Sequence, residues 1–271
     1  MAAEKKTIRI IVAAHKPYQM PEDPMYLPLQ VGAKGRESIG YQRDDEGENI
    51  SELNPYFCEL TGLYWAWKNL NADYLGLVHY RRHFSFYPKP SDLWESVLTK
   101  KEIEPYLLKT KIFVPAKRKY YIETLYSHYA HTHFAVQLDT AREIIRQKYP
   151  NDLPACDKIF RRCWGYMFNM MIAEQELFSE YCTWLFDILF ELRKKLSEEE
   201  KKLDAYQARF YGRISEILLN VWLESKLQTG RIQKEEIQEI PFIYMEKVNW
   251  KKKGTAFLKA KFAGKRYQGS F

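Results

Sequence analysis

The fold is decided by residues 74–84, which read Tyr74-Leu75-Gly76-Leu77-Val78-His79-Tyr80-Arg81-Arg82-His83-Phe84. An apolar run with aromatic and β-branched members predicts a short buried strand, and two histidines and an arginine pair follow it at once. In an α/β fold, ligands bind outside the carboxyl ends of such strands. A guanidinium group makes paired, charge-assisted hydrogen bonds to phosphate oxygens, so the arginines indicate a phosphate-binding site. The alternative is a strand that ends in a solvated basic turn.

Length and composition predict a folded α/β protein. The 271 residues suffice for one large domain, or for one domain with a helical appendage, and 46% of them are hydrophobic. Since no apolar run reaches about 18 residues, no transmembrane helix is predicted. The four cysteines, Cys58, Cys156, Cys163 and Cys182, lack metal-site spacing and are predicted to be reduced residues of a cytosolic protein.

The basic residues are concentrated at one end of the chain. Residues 247–271 hold eight lysines and arginines and no acid, while the whole chain has a formal charge of +7. Residues 1–246 therefore carry a formal charge of −1, which argues against nucleic-acid binding because that function needs a basic face on the folded domain. Aromatic residues are interleaved with the lysines of this tail, a pattern that favours a peripheral segment on an anionic membrane surface. The alternative is a solvated, disordered tail.

The first half of the chain predicts strands joined by one long loop and one helix. Residues 7–14 form a predicted strand that ends at His15, without the glycine-rich fingerprint of a dinucleotide site or a Walker loop. Residues 20–49 predict a long functional loop that carries Asp44 and Asp45. Residues 51–70 predict one helix, with Asn54 as its cap.

The second half is predicted to be mostly helical. After a short helix that begins at Ser91 and a strand at 112–115, residues 164–172 predict one apolar strand. Its only polar side chain, Asn169, is either structural or a hydrogen-bonding partner of the substrate. Residues 173–230 carry two apolar stripes at helical spacing, which predict packed helices.

Three histidines, His128, His131 and His133, lie in the aromatic stretch 120–133. No acidic or cysteine ligand is spaced with them, so we expect ordinary exposed or core-edge histidines and assign no metal-ligand set.

Three segments together resemble a known family. They are residues 49–69 with their Glu-Leu-Thr motif, residues 76–82 with His-Tyr-Arg-Arg, and residues 169–172 together with 181–186. They are similar to the bacterial capsular and exopolysaccharide glycosyltransferases, some of which are galactofuranosyltransferases. The resemblance runs from about Ile8 to Tyr244. It implies one glycosyltransferase domain over residues 1–246, with a GT-A-like fold, followed by the basic tail.

The resemblance also implies a function. The donor would be a nucleotide sugar of the UDP-linked kind, such as UDP-galactofuranose, and the acceptor a polyprenyl-linked saccharide in capsule, exopolysaccharide or O-antigen synthesis. The enzyme would work in the cytoplasm at the inner face of the plasma membrane. The alternative is a non-catalytic nucleotide- or carbohydrate-binding module, which slow hydrolysis of the donor would distinguish from an enzyme.

Sugar transfer from a nucleoside diphosphate requires stabilisation of the negative charge that develops on the leaving group. Typical GT-A enzymes hold a divalent metal with an Asp-x-Asp motif after a central strand, whereas this strand ends in arginines. Our hypothesis is that Arg81 and Arg82, with His79, replace the metal. The competing hypothesis is that Asp44 and Asp45 hold Mn²⁺ or Mg²⁺.

An inverting transfer also needs a group that takes the proton of the acceptor hydroxyl. The leading candidates are Asp139 and Asp45, followed by His133. The expected contacts to the donor are His15, Asp45, Glu59, His79, Arg81, Arg82 and Asn169.

Overall fold

The structure is a computed structural model that describes residues 6–87 and 90–246. Its first compact unit takes in the described residues of Met1–Ala116, Phe168–Thr183 and Ile232–Met245. The second takes in those of Lys117–Met167, Trp184–Arg231 and Glu246–Phe271. The single domain over residues 1–246 stays a prediction, and the tail at 247–271 lies outside the described residues.

The described residues form eleven strands and eight α-helices. The strands are β1 (Ile8–Ala14), β2 (Tyr26–Gln30), β3 (Gln42–Arg43), β4 (Tyr74–His79), β5 (Arg82–Phe84), β6 (Ile112–Pro115), β7 (Arg118–Lys119), β8 (Trp164–Gly165), β9 (Met171–Glu174), β10 (Ile237–Ile240) and β11 (Phe242–Tyr244). The helices are α1 (Asn54–Phe57), α2 (Leu60–Asn69), α3 (Lys100–Ile103), α4 (Leu125–Thr132), α5 (Ala135–Lys148), α6 (Leu153–Phe160), α7 (Gln175–Glu200) and α8 (Phe210–Gln228). None of these helices has both the length and the apolar character that crossing a membrane requires.

The first unit is built on one mixed sheet with the order β10-β6-β9-β4-β1-β2-β3, to which β5 and β11 are added beside β4. Strand β1 pairs in parallel with both β4 and β2, whereas β9 runs antiparallel between β4 and β6. Strands β1 and β4 are buried almost throughout, which explains their nearly continuous apolar sequences. The predicted α/β fold class is confirmed.

Two glycines allow close approaches within this unit. A Cβ atom on Gly76 would lie 2.8 Å from the backbone oxygen of Met171, so only glycine fits between β4 and β9. A Cβ atom on Gly62 would lie 2.9 Å from Val31 Cγ1 and 3.2 Å from Ile11 Cδ1, so this glycine lets α2 pack tightly against the sheet.

The second unit is helical, apart from the antiparallel pair β7–β8. Helix α8 is buried on nearly all sides from Phe210 to Ser225. Its Asn220 side chain accepts a hydrogen bond from the backbone of Tyr166 and donates one back, both at 2.8 Å. Helices α7 and α8 form most of the helical portion expected between residues 173 and 230.

The single helix predicted over residues 51–70 is wrong. The chain forms a 3₁₀ turn, then α1 and α2, and it breaks at Cys58, whose φ of 53° and ψ of −131° do not fit a helix. Asn54 is not a cap, because its amide donates to the carbonyl of Cys58 and to the Thr61 hydroxyl. Helix α1 therefore ends after about one turn, at a point where the apolar pattern of the sequence indicated a continuous helix.

Three further expectations need correction. The long loop at 20–49 contains β2 and β3, and residues 91–97 form turns in which the Asp92 carboxylate accepts from two backbone amides. The strand predicted over 164–172 divides into β8 and β9, which belong to different sheets. Strands β10 and β11 were not predicted, because their sequence mixes polar and apolar residues without a clear period.

The close approach at Gly76 yields a stability prediction. We expect Gly76→Val to lower the free energy of unfolding by about 1–3 kcal/mol or more, because the added side chain meets backbone that cannot move without breaking the ladder. Urea unfolding followed by circular dichroism measures the change. Leu108→Val, at a side chain that is 82% exposed, is the control. Equal stability of the two variants would contradict the packing described for β4 and β9.

Candidate functional site

The candidate site lies at the carboxyl edge of the central strands of the first unit. Strands β1 and β4 run in parallel with Ala13 opposite His79, so the residues that follow them emerge at the same edge. His15 follows one strand, and Arg81 and Arg82 follow the other. The expectation that these segments share one edge of the sheet follows directly from this register.

His79 contacts one backbone carbonyl and lies near one other predicted site residue, which a second one contacts in turn. Its Nε2 atom lies 2.7 Å from the oxygen of Phe168 and 4.0 Å from Glu59 Oε1. Asn169 Nδ2 donates to the same Glu59 oxygen at 2.6 Å. The structure therefore brings Glu59, His79 and Asn169 together, although they are distant in sequence.

The protonation state of His79 follows from these contacts. Burial holds the pKa of His79 below its usual range; Glu59 opposes this, and the positive charges of Arg82 and Arg81 lower the pKa further. The ring is therefore neutral at neutral pH. A carbonyl oxygen can only accept, so we assign the single proton to Nε2, which leaves Nδ1 as an acceptor.

Unusual backbone conformations hold this cluster in place. Phe168 and Asn169 have φ values of 74° and 55°, and Cys58, beside Glu59, has a φ of 53°. Side chains other than glycine occupy this region at a cost of about 1–3 kcal/mol each, and such strain is concentrated at functional sites. Here it directs the carbonyl of Phe168 and the amide of Asn169 to His79 and Glu59.

Aromatic rings support the two arginines. The Arg82 guanidinium carbon lies 4.5 Å from the centre of the Phe168 ring and 5.4 Å from that of Tyr244. The Arg81 guanidinium carbon lies 5.3 Å from the Tyr80 ring. Both side chains are half-buried. Stacking restricts a guanidinium group without using up its hydrogen-bond donors, which suits it to bind an anion.

The segment after β1 adds a second aromatic and cationic group. The exposed His15 ring lies 5.4 Å from the Tyr80 ring, and Lys16 Nζ lies 5.4 Å from the same ring. The Tyr18 ring meets the edge of Tyr80 at 5.0 Å. Lys16, Tyr18 and Tyr80 were not singled out from the sequence, although their positions directly after strand ends are the signal that could have found them.

Asp44 organises the loop in which it lies. Its carboxylate is fully buried and accepts from the backbone amides of Gly32 and Ala33, at 2.8 and 2.9 Å. It also accepts from the hydroxyls of Ser51 and Thr61. Four donors saturate both oxygens, so these contacts leave no lone pair directed at a cation.

Asp45 forms an ion pair beside this network. Arg43 donates to both of its oxygens, at 2.9 and 2.8 Å, and these hydrogen bonds lower the pKa of the Asp45 carboxyl. Within residues 6–87 and 90–246, no group of three His, Cys, Asp or Glu side chains is arranged to hold a metal. The proposed roles of Asp45 as donor contact, metal ligand or base stay predictions.

The other two candidate bases belong to the second unit. Asp139 is exposed on α5 and accepts a hydrogen bond from the Tyr126 hydroxyl at 2.9 Å. His133 is buried, and its Nδ1 atom lies 2.8 Å from Gln207 Oε1. The catalytic roles of Asp139 and His133 stay predictions.

The histidine stretch contains an acidic partner that spacing did not reveal. Glu123 is buried, and its two oxygens lie 2.8 Å from Nδ1 of His128 and Nδ1 of His131. Burial raises the pKa of Glu123, but hydrogen bonds from both histidines outweigh this effect and lower it. The absence of metal-site spacing in the sequence therefore does not exclude an acidic partner in the folded protein.

The comparisons with known proteins agree with the fold. A protein-family model described as "Domain of unknown function (DUF4422)" matches residues 9–227, so the chain belongs to this family. The chain is also similar to a solved structure of the WbbM bifunctional glycosyltransferase in its apo form, with a TM-score of 0.78 and 28% sequence identity. The similarity covers 89% of this chain and 46% of that one, so the chain spans about half of WbbM. No curated protein sequence matches the chain. The predicted glycosyltransferase type of fold is confirmed.

The buried pair of Glu123 and His128 predicts a loss of stability in acid. Burial lowers the pKa of His128 from 6.5 to about 4. Since the unfolded chain binds this proton near pH 6.5 and the folded chain only near pH 4, acidification across this window favours unfolding. Between pH 7 and pH 4.5, we expect the free energy of unfolding of His128→Gln to fall by about 2–3 kcal/mol less than that of the wild type.

Urea unfolding at several pH values measures this difference. His15→Gln, at an exposed histidine, is the control and should follow the wild type. The same pH dependence in His128→Gln as in the wild type would show that His128 is not held neutral by burial.

Proposed function

We propose that the protein is a glycosyltransferase that moves a hexosyl group from a UDP-linked sugar, with UDP-galactofuranose as the first candidate, to a saccharide acceptor. The observation that carries this proposal is the similarity to the WbbM bifunctional glycosyltransferase, at 28% identity over 89% of the chain. Because the chain spans 46% of that protein, the proposal is limited to a single transfer reaction.

Arg81 and Arg82 are the proposed diphosphate clamp. They follow a central strand, they are half-buried, and aromatic rings limit their movement. Two fixed guanidinium groups would stabilise the charge that develops on the leaving diphosphate as its bond to the anomeric carbon breaks. His79 has a different proposed role, because its proton is directed to Phe168; it would position Glu59 and the arginine loop.

Glu59 is our preferred proton acceptor. Its Oε1 atom receives the Asn169 hydrogen bond, while Oε2 makes no hydrogen bond among the residues described here. In an inverting transfer, the acceptor oxygen would bond to the anomeric carbon, the leaving diphosphate would take the electron pair of the broken bond, and Oε2 would take the hydroxyl proton. Asp45, Asp139 and His133 remain the alternatives.

The remaining parts of the proposal concern metal, acceptor and location. A divalent Mn²⁺ or Mg²⁺ ion at Asp45 is the alternative to the arginine clamp. The proposed acceptor is a polyprenyl-linked saccharide of capsule, exopolysaccharide or O-antigen synthesis. The basic tail at 247–271 would keep the enzyme at the inner face of the plasma membrane, where such an acceptor is anchored.

Donor binding and hydrolysis test the function and the clamp together. Among UDP-, GDP- and dTDP-sugars, we expect one UDP-sugar to bind and to be hydrolysed slowly without acceptor, in the presence of excess EDTA. Arg81→Ala and Arg82→Ala should each weaken its binding about 10- to 100-fold, since each removes charge-assisted hydrogen bonds. Calorimetry and release of UDP measure both quantities.

Arg36→Ala, at an exposed arginine of the same unit, is the matched control. Binding without any hydrolysis or transfer would favour the non-catalytic module. Strict dependence on Mn²⁺ with unaffected arginine variants would contradict the clamp.

Glu59→Gln tests the proposed base. We expect kcat for transfer to fall about 10²- to 10⁴-fold while donor binding changes little, because the amide keeps the shape of the side chain and cannot accept the proton. Asp45→Asn, Asp139→Asn and His133→Gln should retain most of the activity. If one of these three loses activity while Glu59→Gln keeps it, the base is assigned to the wrong residue.

A further inference from the structure

Two neighbouring large apolar side chains of the second unit lie in solvent. Tyr121 is 82% exposed and Ile122 is 68% exposed, in the connection between β7 and α4. Single exposed apolar residues are common, whereas contiguous ones mark surfaces that meet a partner or a membrane. We call residues 117–122 the aromatic tip.

The aromatic tip has a fixed conformation. Tyr120 donates its backbone amide to the oxygen of Cys163, and Leu125 donates to that of Arg162, both at 2.8 Å. Ile122 donates to the oxygen of Tyr120 at 2.7 Å. Tyr121, between them, has a φ of 57°, which is unfavourable for a bulky residue. The backbone thus bears a cost that leaves two apolar side chains exposed.

The same six residues carry three positive charges. Lys117 Nζ lies 4.6 Å from the Trp164 ring, and the Arg118 guanidinium carbon lies 4.9 Å from the Tyr120 ring. Lys119 is exposed. The nearest acid in sequence, Glu123, is buried, and its two oxygens lie 2.8 Å from two histidines.

We propose that the aromatic tip docks on the surface of an anionic lipid bilayer. Tyrosine and isoleucine would enter the headgroup region, where an amphipathic ring is favoured, and the three cations would lie beside lipid phosphates. A second copy of the chain is a poorer occupant, since a symmetric contact through this tip would bring like charges together. The proposal does not depend on sugar transfer.

Vesicle sedimentation of the full chain without any sugar donor tests this proposal. The vesicles are phosphatidylcholine alone and phosphatidylcholine with phosphatidylglycerol. We expect the double change Tyr121→Ser with Ile122→Ser to lower the partition constant on anionic vesicles about tenfold or more. The triple change of Lys117, Arg118 and Lys119 to Gln should lower it roughly 100-fold on anionic vesicles and leave it unchanged on neutral ones.

Two further variants separate lipid binding from other effects. Leu108→Ser removes an equally exposed apolar side chain in the first unit and should bind as the wild type does. Tyr121→Gly relieves the left-handed backbone while it removes the ring, so we expect unchanged or higher thermal stability together with weaker binding. Every variant keeps residues 247–271, so the comparison with the wild type isolates the effect of the aromatic tip.

The proposal would be overturned if the double variant and the triple variant both bound anionic vesicles as tightly as the wild type does. So would a concentration-dependent dimer in light scattering that the Tyr121 and Ile122 changes abolish, because the tip would then be a protein contact. Loss of binding in Leu108→Ser alone would place the lipid contact elsewhere. Because the vesicle assay contains no sugar donor, a negative result in it does not bear on the transferase proposal. Likewise, an absence of transferase activity would not change the vesicle result.

Discussion

The hydrogen bond between His79 and the carbonyl of Phe168 is the contact on which the candidate site depends. It joins the end of β4 to the turn before β9, and that turn reaches it only because Phe168 and Asn169 adopt left-handed backbone conformations. The same turn places the Asn169 amide on Glu59 and the Phe168 ring under Arg82. These three contacts thus compensate one unfavourable turn, and the conformation of the turn positions both the Glu59 carboxylate and the Arg82 guanidinium group.

The site combines two adjacent arginines with aromatic rings. The guanidinium groups of Arg81 and Arg82 lie against aromatic rings, whose attraction for a cation orients them. The proximity of two guanidinium groups also disfavours a proton on His79, so the neutral imidazole and the arginines are electrostatically consistent. In the proposed donor complex, the diphosphate would bring negative charge to these two guanidinium groups.

The central strands could be predicted from sequence because their apolar runs reflect burial on both faces, as in residues 8–14 and 74–79. The positions of His79 and the arginines at the edge of the sheet could be predicted for the same reason, since His79 ends β4 and the arginines come directly after it. The break at Cys58 and the turn at Phe168 and Asn169 could not be predicted, because left-handed non-glycine residues leave no compositional signal. The link between Glu123 and the histidines was missed because a buried carboxylate can recruit partners outside metal-site spacing.

The buried Asp44 carboxylate makes the region between β2 and α2 a single unit for protein engineering. Its two oxygens accept hydrogen bonds from Gly32, Ala33, Ser51 and Thr61, which belong to three separate stretches from the end of β2 to the start of α2. Replacing any one of these stretches with that of a relative would leave a buried charge or a buried backbone donor without its hydrogen-bond partner. Chimaeras designed to alter specificity should therefore exchange residues 32–61 as one cassette, with crossover points outside it.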